Sequence, residues 1–260
     1  MKYINKTILV ALFIEITLPT LLQAQAKDVC RLPKSFKKNY DFKHKLRSHE
    51  WVNLNGTTDY LVLVLSWTPQ FCKYQPARQR QENFQCKPEN KFGLIVHGLW
   101  PQSKKTRGRG GVRSHPRNCK DDKQLDISLI KSYFCLMPDE ILQQAEWEKH
   151  GTCAFKSPEE YFKTMSQLYS KVNLPDMNQL LKDKHLHKKK VEAAFLKKNP
   201  GLHIVTTTYR GPHKSVTETD AIIVSMRRKE LEEIKICFDL KHNFTIITET
   251  EYGEGMLYPR

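Results

Sequence analysis

The chain has 260 residues, a formal net charge of +15 and, beyond its first 26 residues, no apolar stretch long enough to span a bilayer. No linker rich in Pro, Gly or Ser and no internal repeat divides it, so its length fits one large domain better than two small ones. The positive charge favours a polyanionic partner, but charge alone does not choose between nucleic acid, anionic polysaccharide and anionic lipid.

Residues 1–26 have the pattern of a secretory signal peptide. A lysine-bearing start precedes an apolar run, Ile8–Leu22, and Ala24–Ala26 forms a small-x-small cleavage site. The alternative is a transmembrane anchor, which the run fits less well because it is short and contains Glu15. Cleavage removes two lysines and one glutamate and leaves a domain over residues 27–260 with a net charge of +14. We therefore expect a secreted or periplasmic protein with no membrane span after cleavage.

The cysteines indicate an oxidised protein. All seven lie beyond the signal segment, and none of their spacings matches a CxxC zinc site. They are Cys30, Cys72, Cys86, Cys119, Cys135, Cys153 and Cys237. Seven is odd, so at least one thiol stays outside the intrachain bridges or pairs with another chain. We predict that a Cys72–Cys86 bridge closes the polar loop in which both residues lie.

The first half of the domain contains two predicted strands. Residues 27–58 are polar and basic and indicate an irregular lead-in. Asp59–Trp67 is a nearly continuous apolar run, typical of a buried strand. A polar loop over 68–89 separates it from a second strand, Lys91–His97. We expect this strand to end before Pro101, because proline disfavours its continuation.

A basic, glycine-containing loop over residues 103–118 follows the second strand. Its cations are Lys104, Lys105, Arg107, Arg109, Arg113 and Arg117. Two interpretations remain open: contact with RNA phosphates, and a mobile solvated loop.

The second half passes from helices to strands. Helical patterns cover 125–134, 139–150, 161–172 and 176–196, the last in one piece or two. Ser157, Pro158 and Glu160 form a capping box with proline at the first helical position. Strand-like runs cover 202–207, 221–226, 234–240 and 244–247. This order predicts an α+β domain with a mainly antiparallel central sheet packed against several helices and stapled by disulfides.

Two segments contain histidines that are candidates for catalysis. FGLIVHGLWPQ contains His97, and EWEKHGTC contains Glu146, Lys149 and His150. Glu146 and His150 share a helix face, so the carboxylate can orient the imidazole. Metal-free cleavage of RNA needs a base for the 2′-hydroxyl, an acid for the leaving 5′-oxygen and a cation for the phosphorane, and histidines and a lysine supply these.

Each histidine, taken alone, also has a non-catalytic interpretation. A lone histidine on a strand is most often structural, and a Glu/His pair at i, i+4 is most often a helix-surface pair. Neither segment has the order of a HExxH zinc motif. His185 and His187 could bind a metal, but beside Lys188–Lys190 they indicate a solvated basic face.

Together the two segments resemble the active-site segments of the ribonuclease T(2) family of secreted acid endoribonucleases. Ser66–Cys72 (SWTPQFC) resembles the lead segment of that family, and Ile234–Asp239 resembles its late strand. The resemblance therefore spans about residues 59–240.

The resemblance implies a role for each matching residue. His97 is the general acid of the cleavage step and His150 the general base. Glu146 and Lys149 stabilise the pentacoordinate phosphate, and Trp100 helps to shape the substrate site. The reaction passes through a 2′,3′-cyclic phosphate to a 3′-phosphate, with the histidines exchanging roles, and base specificity is not readable. We expect a monomer that binds single-stranded RNA and needs no metal or other cofactor.

Departures and bridges also follow from the resemblance. Many members carry a further histidine, thought to help bind phosphate, where this chain has Ala145. The resemblance also implies a Cys119–Cys153 bridge, which closes about 34 residues and stabilises by roughly 3–4 kcal/mol in the chain-entropy model. Cys30, Cys135 and Cys237 then leave one pair and one odd thiol, in an arrangement that the sequence does not give.

Two other functions remain as alternatives. A non-catalytic protein could use the same scaffold and charge to hold RNA, heparin-like polymers or a membrane surface, but it would have no need of the intact histidine segments. A metal-dependent phosphodiesterase has little support because the sequence shows no carboxylate-rich cluster.

Overall fold

The computed structural model describes residues 30–47, 50–104, 111, 113–182, 186–210 and 213–245, so the predicted signal peptide lies outside the described residues. The helices are α1 Thr68–Lys73, α2 Ala77–Glu82, α3 Ile127–Tyr133, α4 Glu140–Lys149, α5 Pro158–Ser170, α6 Met177–Leu180 and α7 Lys188–Lys198. The strands are β1 Tyr60–Trp67, β2 Leu94–Gln102, β3 His203–Arg210, β4 His213–Asp220, β5 Ile222–Arg227 and β6 Glu230–Phe238.

The strands form a four-stranded sheet and a separate hairpin. The sheet has the order β2-β1-β6-β5, and every neighbouring pair is antiparallel. The hairpin pairs β3 with β4. Helices α4 and α5 pack against β2, and α7 packs against β5. The predicted α+β class, with a mainly antiparallel sheet, several helices and disulfide staples, is confirmed.

The two faces of the sheet have different partners. Because side chains alternate along a strand, β1 sends Leu61, Leu63 and Leu65 into the main core, which the helices cover. Its other face belongs to a smaller cluster of Tyr60, Val62, Val64, Trp100 and Cys237. Strand β6 places Glu233 and Lys235 on this second face, opposite Ser66 and Val64 of β1. Both charged residues are buried.

Strand β2 is longer than the sequence predicts. It runs through Pro101 to Gln102, so the expectation that Pro101 lies beyond the strand is wrong. Pro101 is tolerated because β2 is the edge strand of the sheet, where a missing N–H can face away from the ladder.

A bulge interrupts the pairing of β1 with β2. Val64 pairs with Gly98, and Leu65 pairs with Val96, so His97 is an extra residue with no counterpart on β1. His97 therefore lies inside a bulged strand, not at the end of a regular one.

The predicted helices form, with changes at their ends. Ser157 caps α5 by accepting a hydrogen bond from the Glu160 amide at 3.3 Å, whereas the Glu160 carboxylate accepts from Lys156 rather than from Ser157. The predicted segment 176–196 divides into α6 and α7, and the polar loop over 68–89 contains α1 and α2. None of the helices in the described part of the chain combines the length and apolarity that a bilayer crossing requires.

The hairpin departs most from the sequence-based expectation. β3 extends beyond the predicted strand 202–207, and β4 is not predicted at all because its sequence, HKSVTETD, has a single apolar residue. The predicted strand over 244–247 is wrong in its described part, since Phe244 makes only an isolated bridge with Phe238.

Three disulfides staple the domain. The predicted bridges Cys72–Cys86 and Cys119–Cys153 are confirmed. The third bridge joins Cys30 to Cys135 and fixes the N-terminal lead-in to the segment after α3. Cys237 is buried in β6, outside these three bridges.

Candidate active site

The four side chains predicted to be catalytic converge where α4 meets the edge strand β2. Glu146 lies between the two histidines and its side chain is 1% exposed. Its Oε1 atom is 3.7 Å from Nε2 of His97, and its Oε2 atom is 3.8 Å from Nε2 of His150. The Nζ atom of Lys149 is 3.8 Å from Oε1. One carboxylate therefore faces both imidazoles and the ammonium group.

Two features of β2 make room for this carboxylate and hold it. Trp100 donates a hydrogen bond from Nε1 to Oε2 of Glu146 at 2.7 Å. Gly98 lies beside the carboxylate, because a Cβ atom added there would stand 2.1 Å from Oε2. A side chain at position 98 and the observed position of Glu146 are mutually exclusive.

Trp100 also contacts both histidines. Its ring stacks on His150 with centroids 5.2 Å apart and an interplanar angle of 23°. It meets His97 edge to face at 5.4 Å. Trp100 is buried, so its ring packs against both imidazoles and its Nε1 group holds the Glu146 carboxylate.

Carboxylates surround His97. Its Nδ1 atom lies 2.8 Å from Oε1 of Glu233 on β6, while Nε2 faces Glu146. Burial disfavours the charged imidazole, but the negative charges of Glu146 and Glu233 outweigh it and raise the pKa of His97. The same contact, together with Lys235, outweighs burial and lowers the pKa of Glu233.

Cations surround His150, which follows directly after α4. The Arg117 guanidinium lies 3.2 Å from Nε2 of His150. Burial, followed by the charges of Arg117, Lys149 and His97, holds the pKa of His150 well below its usual range. A neutral His150 that accepts from Arg117 at Nε2 carries its proton on Nδ1.

Glu50 fixes the two cations beside His150. Arg117 donates to both of its oxygens, from Nε at 2.7 Å and from Nη2 at 3.0 Å, and Lys149 Nζ lies 3.5 Å away. Burial raises the pKa of this carboxyl, but the hydrogen bonds and charges of Arg117 and Lys149 lower it to about 2. Arg117 also lies over the Trp51 ring, 4.5 Å from its centroid.

The Cys119–Cys153 bridge joins the two segments that build this cationic side. Cys119 follows Arg117 by two residues, and Cys153 closes the turn after His150. The Asn118 amide donates to the Lys149 carbonyl at 2.9 Å. Arg117 is therefore held against His150 by a covalent link and a backbone hydrogen bond.

Glu50 and Glu233 are residues of this site that the sequence does not reveal. Glu50 belongs to the lead-in, which has no periodic pattern, and Glu233 alternates with apolar residues as a solvent-facing charge on a strand does. Arg117 is one of six cations in the basic loop, and no local signal separates it from the others.

The remaining predicted residues lie around the site or outside the described residues. Ala145 is buried on α4 and offers no polar side-chain atom to a phosphate. Lys104 and Arg113 are exposed, whereas Lys105, Arg107 and Arg109 lie outside the described residues. The same holds for His185, and His187 is exposed at the start of α7. In the part of the chain that is described, no three His, Cys, Asp or Glu residues are grouped so that they could hold a metal ion.

Comparison with known proteins assigns the family. Residues 58–248 match the family model of the Ribonuclease T2 family. Over 144 residues the chain is 40% identical to a "Probable ribonuclease" of Haemophilus influenzae, which covers 53% of this chain and 52% of that protein. It is 30% identical over 175 residues to "Ribonuclease I" of Escherichia coli, covering 55% and 65%.

A solved structure of trichomaglin, described as an S-like ribonuclease, aligns with a TM-score of 0.47 at 19% identity and covers 72% of this chain and 90% of that chain. The chain spans about half to two thirds of the length of the curated relatives named above. The family model matches well over half of the chain, and the chain therefore belongs to the ribonuclease T2 family.

Proposed function

We propose that this protein is a metal-independent endoribonuclease that cleaves single-stranded RNA by transesterification. The observation that carries the proposal is the placement of His97 and His150 on either side of the Glu146 carboxylate, with opposite charges in their surroundings. Family membership supports the same class of reaction.

The acid and the base differ in protonation. A pair of titratable groups whose pKa values are pushed apart by their surroundings can act as acid and base at one pH. Because its pKa is raised, His97 is the proton donor of the cleavage step. His150, whose pKa is lowered, gives up its proton at a lower pH than His97 and is the proton acceptor.

The cleavage step then follows from these assignments. The 2′-hydroxyl of the substrate replaces Arg117 as the hydrogen-bond donor to Nε2 of His150. Nε2 then takes the hydroxyl proton, and the 2′-oxygen attacks phosphorus. The bond from phosphorus to the 5′-oxygen breaks as Nε2 of His97 delivers a proton to that oxygen. Lys149 and Arg117 stabilise the negative charge of the phosphorane, and Arg117 supplies a cation that Ala145 cannot. Trp100 and Glu146 keep the imidazoles in place.

The second stage opens the 2′,3′-cyclic phosphate with water and leaves a 3′-phosphate. The histidines exchange roles, so His97 accepts the proton and His150 donates one. Three disulfides support a secreted or periplasmic setting for this reaction. The proposal takes the protein as a monomer.

The test compares a labelled RNA with the matching DNA in excess EDTA at mildly acidic pH. We expect cleavage of RNA only, with 2′,3′-cyclic phosphate ends, because DNA lacks the attacking hydroxyl. His97→Ala and His150→Ala each remove one proton-transfer group, and each should lower kcat by about 10²–10⁴-fold. His187→Ala is the matched control, since His187 is an exposed histidine at the start of α7.

Three outcomes would contradict the proposal. Full activity in His97→Ala or in His150→Ala would show that these histidines are not the acid–base pair. Salt-sensitive RNA binding without turnover indicates a binding protein. Cleavage that appears only after a divalent metal is added indicates a metal-dependent phosphodiesterase.

A further inference from the structure

We propose that Glu233 is a positioning residue for His97. The Glu233 carboxylate accepts a hydrogen bond from Nδ1 of His97 and so keeps the transferable proton on Nε2 of the same ring. This inference rests on the proposed function, because it assigns Glu233 to the acid of that reaction. Glu233 does not touch the reacting atoms and acts through His97.

The sheet brings Glu233 to His97 from a distant part of the chain. The two residues are separated by 136 positions, yet Oε1 of Glu233 lies 2.8 Å from Nδ1 of His97. Ser66 of β1 pairs with Ile95 of β2 on one side and with Glu233 of β6 on the other. The bulge at His97 is what allows the ring to reach across β1, since bulges redirect a side chain from the regular alternation.

The contact fixes the chemistry of each ring nitrogen. A carboxylate can only accept, so Nδ1 must carry a proton in both the neutral and the charged imidazole. In the charged ring Nε2 carries the second proton, and this is the proton that faces Glu146 and the reaction. A histidine whose tautomer is set from behind by a carboxylate needs no reorientation between the two stages.

Charged groups from two elements act on His97. From α4, Glu146 raises and Lys149 lowers its pKa, and His150 faces the same carboxylate from beyond the helix end. From β6, Glu233 acts through the hydrogen bond, and Lys235 lies 3.6 Å from the other oxygen of Glu233. From helix α5, the Tyr161 hydroxyl accepts a hydrogen bond from the Leu99 amide at 3.0 Å.

A purely structural role explains Glu233 poorly. Its side chain is 9% exposed, and burying a carboxylate costs free energy unless its charge is used by a partner. Its neighbour Glu232, with a side chain 26% exposed, contacts Arg227 at 3.5 Å. The strand therefore offers two adjacent glutamates, of which one contacts His97.

The experiment uses the full oxidised protein with labelled histidines. The pH titration of the His97 ring is followed by NMR in the wild type, in Glu233→Gln and in Glu232→Gln, and kcat/KM on RNA is measured over the same range. We expect Glu233→Gln to move the His97 titration to lower pH. Because the acid must be protonated, the alkaline fall of kcat/KM should also move to lower pH. Above the wild-type midpoint, kcat/KM of the variant should therefore be about tenfold below that of the wild type. Glu232→Gln should match the wild type.

A second variant guards against misfolding of the first. Lys235→Gln removes the cation that offsets Glu233, so the His97 titration should move to higher pH, opposite to Glu233→Gln. An unmoved His97 titration in both variants would overturn the inference, as would a loss of kcat in Glu233→Gln with an unchanged pH profile. A wild type that cleaves no RNA would instead refute the proposed function, and the NMR titration would still test the contact.

Discussion

The two histidines of the site have the same side chain and face the same carboxylate, but their outer surroundings carry opposite charge. His97 is backed by Glu233 from the sheet, at 2.8 Å. His150 is backed by Arg117 from the loop before α3, at 3.2 Å, and by Lys149. The pKa is raised in the first case and lowered in the second. The difference teaches that residues behind the histidines set their pKa values apart, and in the proposed mechanism this divides them into acid and base.

The two surroundings are also built differently. The anionic side uses hydrogen-bonded strands, so Glu233 is placed by the sheet register. The cationic side uses irregular chain, and it is held by Glu50, by the Cys119–Cys153 bridge and by the Asn118 amide. Sheet geometry needs no special residue to fix Glu233, whereas Arg117 needs a buried ion pair and a disulfide.

The largest effect is expected where the two surroundings meet, at Gly98. In Gly98→Ala the new Cβ would stand 2.1 Å from Oε2 of Glu146 and 2.7 Å from Nε1 of Trp100, so the shared carboxylate must move. A displacement of about 1 Å in a site of this kind costs about 10²-fold in rate. We expect a loss of that order in kcat/KM on RNA at mildly acidic pH.

Gly93→Ala is the matched control for that variant. Its added Cβ would contact only the Trp67 ring, at 3.3 Å, which lies outside the site. Equal activity of the Gly98 and Gly93 variants, both with a wild-type Tm, would show that Glu146 does not need its observed place.

A smaller effect is expected at Arg117, and it tests the cationic side alone. Arg117→Gln removes a positive charge beside His150 and should raise the pKa of that residue. The base must be neutral, so the acidic rise of kcat/KM should move to higher pH. We expect a loss of kcat/KM at every pH, because Arg117 also stabilises the phosphorane, and about a further tenfold loss on the acidic side only.

The control for Arg117 is its exposed neighbour Arg113. Arg113→Gln changes the net charge by the same amount at a distance from His150, so its pH profile should coincide with that of the wild type. If both variants weaken RNA binding equally and leave the profile in place, Arg117 serves only as a phosphate contact.

The smallest effect concerns the order of products. In the proposed mechanism the first stage needs a charged His97 and a neutral His150, and the surroundings of the two residues favour this form. The second stage needs the reverse form, so it should be several-fold slower. We expect the 2′,3′-cyclic phosphate to accumulate in a time course followed by ³¹P NMR.

Arg117→Gln sharpens the product experiment. By raising the pKa of His150, this variant reduces the pKa difference between the two histidines. The rate of the second stage should therefore rise relative to the rate of the first. Immediate appearance of 3′-phosphate in the wild type, without a cyclic phase, would contradict the assignment of acid and base.

Local patterns were sufficient to predict many features of the fold and site. The apolar run of β1, the cap at Ser157 and the Glu146/His150 pair each depend on residues within one or two turns of one another, and each is found in the structure. The roles proposed for His97 and Lys149 come from the family resemblance, since no local pattern gives them.

Non-local contacts were not predictable. Glu233 reaches His97 over 136 residues and Glu50 reaches Arg117 over 67, and neither segment carries a signal of its partner. The bulge and the tolerance of Pro101 depend on the register and on the edge position of β2, which are properties of a pair of strands. Strand β4 escaped detection because its sequence is too polar for the alternation rule.

The bulge at His97 has a consequence for how substitutions act on abundance and on activity. A regular strand assigns every position to one face, and each change there disturbs packing. Position 97 is the extra residue of the bulge. Its replacement removes the partner of Glu233 but leaves Val96 and Leu99, which are fully buried in the main core, in place. In a saturation screen, replacements at 97 should abolish cleavage and should lower the amount of folded protein less than polar replacements at 96 and 99 do. The strand thus keeps one position whose substitutions affect activity more than folding.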